Sequence, residues 1–82
     1  MEKELKTFTV DGVEYTEVDS SAVSAVGYKD GDLFVQFRGG NVYRYYGVDE
    51  RVYREILEAD SIGAYVAKNV VGRYGYALIF RA

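Results

Sequence analysis

Residues 39–48 read GGNVYRYYGV, so Tyr43, Tyr45 and Tyr46 crowd around Arg44. A phenol ring stacks on any nucleobase face, worth about 1–3 kcal/mol per base. A guanidinium fork pairs with phosphate. The same two residue types also carry much of the binding energy between proteins. Tyr74 and Tyr76 supply further rings, and Arg38, Lys68 and Arg73 supply further cations. The competing reading is structural: paired strand tyrosines commonly fill a core while their hydroxyls reach its rim.

Other chemistry is sparse. The 82 residues contain neither histidine nor cysteine. This removes the commonest general base, the usual zinc ligands and any disulfide. A nucleophile would have to be Ser, Thr, Tyr or Lys. Ser20-Ser21 is the obvious pair, yet it stands where a strand begins and suits a turn or cap. Asp30 and Asp32 flank Gly31 but lack the further acids of a calcium loop, so a tight turn explains them better. Gly72-Arg73-Tyr74-Gly75-Tyr76 lacks phosphate-loop spacing, although its amides and guanidinium would suit a phosphate. No enzymatic activity, cofactor or metal is expected.

Charge is uneven. Residues 1–19 carry six acids and two lysines, whereas residues 61–82 carry Lys68, Arg73 and Arg81 and no acid. The total of −3 weighs mildly against a nucleic-acid partner. The N-terminal MEKELKTF has no hydrophobic signal core, and no apolar run nears the roughly 20 residues that span a bilayer. A soluble, cytoplasmic protein with no membrane partner is expected.

These residues need elements to position them. Asp11-Gly12 separates two alternating runs, TFTV and VEYTEV, and suits a type I′ hairpin with Phe8 and Val10 on one face. SSAVSAVGY (20–28) reads as a third strand, closed by a turn at Lys29-Asp30-Gly31-Asp32. LFVQF (33–37) and NVYRYYGV (41–48) read as the fourth and fifth. The period then changes from 2 to 3.6. Asp49 and Ser61 suit N-caps. Val52, Tyr53, Ile56 and Leu57 form one helical stripe; Ile62, Tyr65, Val66 and Val70 form a second, with Gly72 near its end. Arg51–Glu55 and Arg54–Glu58 are spaced for helical ion pairs. YALIF (76–80) has β character and can return to the sheet. The expected fold is α+β: an antiparallel β-meander of about five strands followed by two short helices packed on one face. Residues 1–18 form an N-terminal β-hairpin extension of one structural unit with residues 19–82.

The turn at Gly39-Gly40 decides where the tyrosines point. If it has two residues, Phe37 opposes Val42 and Gln36 opposes Tyr43. Leu33, Val35, Phe37, Val42 and Arg44 then share the helix face, and Tyr43 and Tyr45 face away from it. A longer turn or a bulge reverses the assignment: the rings become core and Arg44 points to water. The two-residue turn is the register expected here.

The segment from Ser20 to Tyr76 resembles the KTSC domain, named for its occurrence at the C-terminus of some lysyl-tRNA synthetases. The resemblance rests on Ser20-Ser21, a strand ending in Phe37, Tyr43-Arg44-Tyr45, Ser61-x-Gly63-x-Tyr65, and Arg73-Tyr74-Gly75-Tyr76. Asp49 stands where a helix-opening proline is usual, Gly75 where proline is common, and Val71 where a first basic residue is common. The family has no established activity; its attachment to a tRNA synthetase implies RNA as a partner. The expected function is a small binding domain for RNA or single-stranded nucleic acid through Arg38, Tyr43, Arg44, Tyr45, Lys68, Arg73, Tyr74 and Tyr76. The alternative is a protein–protein interaction module of a small bacterial or phage protein.

Overall fold

The two Asp-Gly dipeptides make the turns their chemistry favours. Asp11 and Gly12 have φ of 52° and 79°, and Asp30 and Gly31 have 53° and 83°. Each pair forms a two-residue hairpin loop, flanked by Val10 opposite Val13 and by Lys29 opposite Asp32. In the computed structural model, which describes residues 6–82, these hairpins belong to one six-stranded antiparallel sheet. Its strands are β1 (Thr7–Val10), β2 (Val13–Glu17), β3 (Val23–Lys29), β4 (Asp32–Phe37), β5 (Val42–Tyr45) and β6 (Tyr76–Phe80). The helices α1 (Glu50–Glu58) and α2 (Ile62–Asn69) lie between β5 and β6 in sequence. The order in space is the order in sequence. The meander of about five strands thus gains a sixth, because YALIF returns from the helices to pair with β5. Residues 1–5 of the expected N-terminal extension lie outside the described residues; β1 and β2 are continuous with the sheet.

β3 starts at Val23 rather than Ser20. The Ser20 hydroxyl accepts from the amides of Ala22 and Val23, both at 3.2 Å, and so holds a turn ahead of the ladder. Asp49 caps α1 by accepting from the Arg51 amide at 2.8 Å, and Ser61 caps α2 by accepting from the Ala64 amide at 3.4 Å. Both helical stripes face the sheet, with Ile56, Val66 and Val70 almost fully sealed. The expected ion pairs differ. Arg54 meets Glu50 at 3.5 Å instead of Glu58. Glu55 accepts from the Tyr65 hydroxyl instead of pairing with Arg51, because α2 packs against α1 and brings that phenol to it. The Glu55 carboxylate holds the Tyr65 proton, pushing the phenol up to about 12.

The β4–β5 hairpin overturns the expected register. Val35 lies opposite Tyr43 and Gln36 opposite Val42. The loop has three residues, Arg38 to Gly40: the Phe37 amide donates to the Asn41 carbonyl and the Gly40 amide to the Phe37 carbonyl, both at 2.9 Å. Gly39 and Gly40 take φ of 98° and 102°, where a side chain would be strained. A one-residue slip moves a strand's whole side-chain set to the other face. Here it carries Tyr43 and Tyr45 to the helix side and Val42 and Arg44 to the opposite side. Burial favours this outcome: Tyr45 enters the core, Tyr43 packs against its rim, and a guanidinium leaves the helix side.

The sheet therefore has two apolar faces. On the helix side Val23, Val26, Leu33, Val35, Tyr45 and Val48 pack with Ile56, Ile62, Val66 and Val70. On the other face Val13, Tyr15, Ala25, Phe34 and Val42 form a second cluster, joined by Phe8. Among the described residues, no helix covers that second face.

Candidate functional site

The tyrosines singled out by the sequence divide between core and rim. Tyr45 is 4% exposed and belongs to the helix-side core. Burial raises its phenol pKa, and the neighbouring Tyr43 and Tyr76 phenols add to the rise. Tyr43 is half-buried; its ring centroid lies 6.4 Å from Tyr45, 5.8 Å from Tyr76 and 5.7 Å from Phe37. Tyr74 is also half-buried against this core. Of the four rings only Tyr76, 63% exposed, faces solvent broadly. The expected outward-facing Tyr43–Tyr45 platform does not form, because the three-residue loop turns both rings inward.

The cations are scattered as well. Arg44 lies on the other side of the sheet, where its Nε and Nη2 donate to Asp32 Oδ2 at 2.8 and 2.6 Å. The Gly47 amide donates to Asp32 Oδ1 at 3.0 Å. The Gly47 amide and the Arg44 guanidinium together hold the Asp32 carboxyl below its ordinary range. Arg44 also lies over Phe34 and Tyr46, 5.3 Å from each ring centroid. Its charge is neutralised in place. Arg38, on the β4–β5 loop, donates to the Ser20 carbonyl at 3.0 Å. Arg73 donates to the Lys68 carbonyl at 3.3 Å, so these two exposed cations sit together at the end of α2.

The residues that the sequence reading passed over lie on the uncovered face. Phe8, Tyr15, Phe34, Val42, Ile79 and Phe80 are among the apolar residues lining a hollow of about 580 Å³, whose lining also includes Asp11, Lys29, Asp30, Gln36 and Arg44. Phe8 stacks on Tyr15 at 5.2 Å, and Tyr15 meets Phe34 edge-on at 6.2 Å. Val10, Ile79 and Phe80 remain 49%, 47% and 58% exposed. An antiparallel sheet with one covered face ordinarily turns a polar face to water. This one turns an apolar face. The signal was present in β4, where LFVQF is apolar on both sides.

The serine and glycine motifs meet elsewhere and have a packing role. A Cβ on Gly63 would lie 3.1 Å from Ala22 Cβ and 3.4 Å from Ser20 Oγ, so glycine there lets α2 approach the turn that starts β3. The Ser20 hydroxyl is engaged with two backbone amides.

Comparison with known proteins agrees with this architecture. The KTSC domain family matches residues 19–74. A protein of Tsukamurella paurometabola is 39% identical over 59 residues, covering 70% of this chain and 88% of its own length. The crystal structure of a KTSC domain protein from Yersinia pestis superimposes with a TM-score of 0.77 at 30% identity, covering 83% of this chain and 99% of that one. The matched residues span β3 to β5 and both helices, and the chain belongs to the KTSC domain family.

Proposed function

We propose that this KTSC domain is a non-enzymatic protein-interaction module that binds its partner on the uncovered face of the sheet. The observation that carries the reading is the apolar hollow bounded by Phe8, Tyr15, Phe34, Ile79 and Phe80. Exposed apolar surface of this kind, edged by an aromatic-flanked arginine, is characteristic of protein-binding surfaces. The partner presents apolar side chains to that hollow. Absence of histidine and cysteine, together with the engaged Ser20 hydroxyl, supports a binding role over catalysis. The test is affinity capture with nuclease treatment, comparing the native protein with Val10→Lys, a change at an exposed site. A partner that survives nuclease and is lost with Val10→Lys supports the reading. Capture that disappears with nuclease contradicts it.

A second reading, binding of single-stranded RNA, draws on the exposed Tyr76 ring and the exposed Lys68 and Arg73 at the end of α2. Stacking on Tyr76 and phosphate contacts from the two cations would give modest, strongly salt-dependent affinity. An electrophoretic mobility shift at low salt tests it. No shift at about 50 μM protein, within the usual range of non-specific binding, would exclude it.

A further inference from the structure

β6 is an edge strand, and its backbone can be accounted for group by group. The Tyr46 amide donates to the Gly75 carbonyl at 2.9 Å. Tyr45 is paired with Tyr76, Arg44 with Ala77, and Tyr43 with Leu78. Antiparallel ladders alternate between hydrogen-bonded and non-hydrogen-bonded pairs. The Tyr46–Gly75 bond makes Arg44–Ala77 a bonded pair and leaves Tyr45–Tyr76 and Tyr43–Leu78 unbonded. The N–H and C=O groups of Tyr76 and Leu78 therefore point away from β5, into the open edge. Among the described residues no element lies along that side.

Edges left in this state are usually guarded by lysine or proline. β6 reads YALIF and has neither; its pairing with β5 shifts register between Leu78 and Phe80, a bulge that falls beyond the outward groups of Tyr76 and Leu78. Tyr76, Ile79 and Phe80 are large and exposed, and Ile79 and Phe80 are also the near wall of the apolar hollow. The charges that flank the strand in sequence have one sign, while Asp11 and Asp30 lie elsewhere on the lining of the hollow. Arg73 precedes the strand, Arg81 follows it and Lys68 lies at the end of α2, with no acid anywhere in residues 61–82.

We infer that β6 accepts a seventh strand: an extended peptide of a partner protein, with alternating apolar residues at its centre and acidic residues at its ends. This rests on the protein-binding reading above and names the form of the partner. Backbone pairing to Tyr76 and Leu78 supplies affinity that does not depend on sequence, and alternate side chains supply specificity. One row of peptide side chains drops beside Ile79 and Phe80 into the hollow. The other lies beside Tyr76. The acidic ends meet Arg73 and Arg81. A second copy of this chain fits less well. Antiparallel pairing of β6 with its own equivalent sets Arg81 near the other copy's Arg73.

The test uses a displayed peptide library with an alternating valine–threonine centre and randomised flanks, selected on the folded protein. Enrichment of aspartate and glutamate in the flanks is expected, with binding about tenfold weaker when they are replaced by lysine. The selected peptide should slow amide hydrogen exchange at Tyr76 and Leu78. Ile79→Lys and Leu78→Pro should each abolish binding; Leu78→Pro removes an outward N–H, and Ile79→Lys covers the case in which that proline disturbs folding. Failure to enrich acidic flanks, or protection of Thr7–Val10 instead of β6, overturns the inference. If selection fails while nuclease-resistant capture persists, strand addition falls and the protein-binding reading stands. If capture is nuclease-sensitive, both fall. Self-association of the protein that Ile79→Lys abolishes assigns the edge to a second copy and overturns the peptide.

Discussion

Tyr45 and Tyr76 face each other across β5 and β6, with ring centroids 6.1 Å apart, yet they serve different ends. Tyr45 is sealed in the core and Tyr76 faces water. Tyr45→Ala leaves a large cavity and should lower unfolding free energy by about 3–5 kcal/mol in urea denaturation. Tyr76→Ala removes an exposed ring and should cost under about 1 kcal/mol. Equal losses would contradict the register. Asp32 offers a second residue-scale prediction. Its carboxyl has a folded pKa below the ordinary value, so the unfolded chain binds more protons in mild acid. The stability it contributes is complete above the ordinary carboxylate pKa and is lost as pH falls through the folded value. Asp32→Asn should therefore lower the melting temperature at pH 7, with the gap from the native protein narrowing steadily below about pH 4. At neutral pH the loss arises because Arg44 and the Gly47 amide lose their charged acceptor.

At the scale of elements, local chemistry settled some features and tertiary burial settled others. Asp11-Gly12 and Asp30-Gly31 could be read directly, because an Asp-Gly pair accepts the two positive φ values that a type I′ loop requires. Asp49 and Ser61 could be read as caps for an equally local reason. Gly39-Gly40 could not, since two glycines fit a two-residue loop and also the end of a three-residue one. The choice was made by burial of Tyr43 and Tyr45, which depends on helices later in the chain. Gly27 carries a similar tertiary constraint. It lies opposite both Tyr15 and Phe34, and a Cβ there would come within 2.8 Å of the Glu14 carbonyl oxygen and 2.9 Å of Val13 Cγ1. Gly27→Ala should force β2 away from β3 and cost about 1–3 kcal/mol, measurable as a fall in denaturation midpoint. An unchanged midpoint would mean that the two strands yield freely.

For the whole molecule, the asymmetry of the sheet matters most. α1 and α2 supply one cover for a sheet that carries an apolar cluster on each face. The helix-side core was legible from the stripes that carry Ile56 and Val70. The second face was legible only in part: LFVQF is apolar on both sides, but Phe8, Tyr15 and Phe34 sit in separate strands that the sheet order brings together. The candidate site moved with it, from a tyrosine platform to the hollow beside β6. On the proposed function, a protein partner occupies this face in the cell. Photo-crosslinking tests it most directly, with a photoreactive benzoylphenylalanine placed at Phe80 and, as a control, at Arg54 on the exposed side of α1. Discrete protein adducts are expected from position 80 and none from position 54. Adducts to RNA at position 80, or equal protein labelling from both positions, would contradict it.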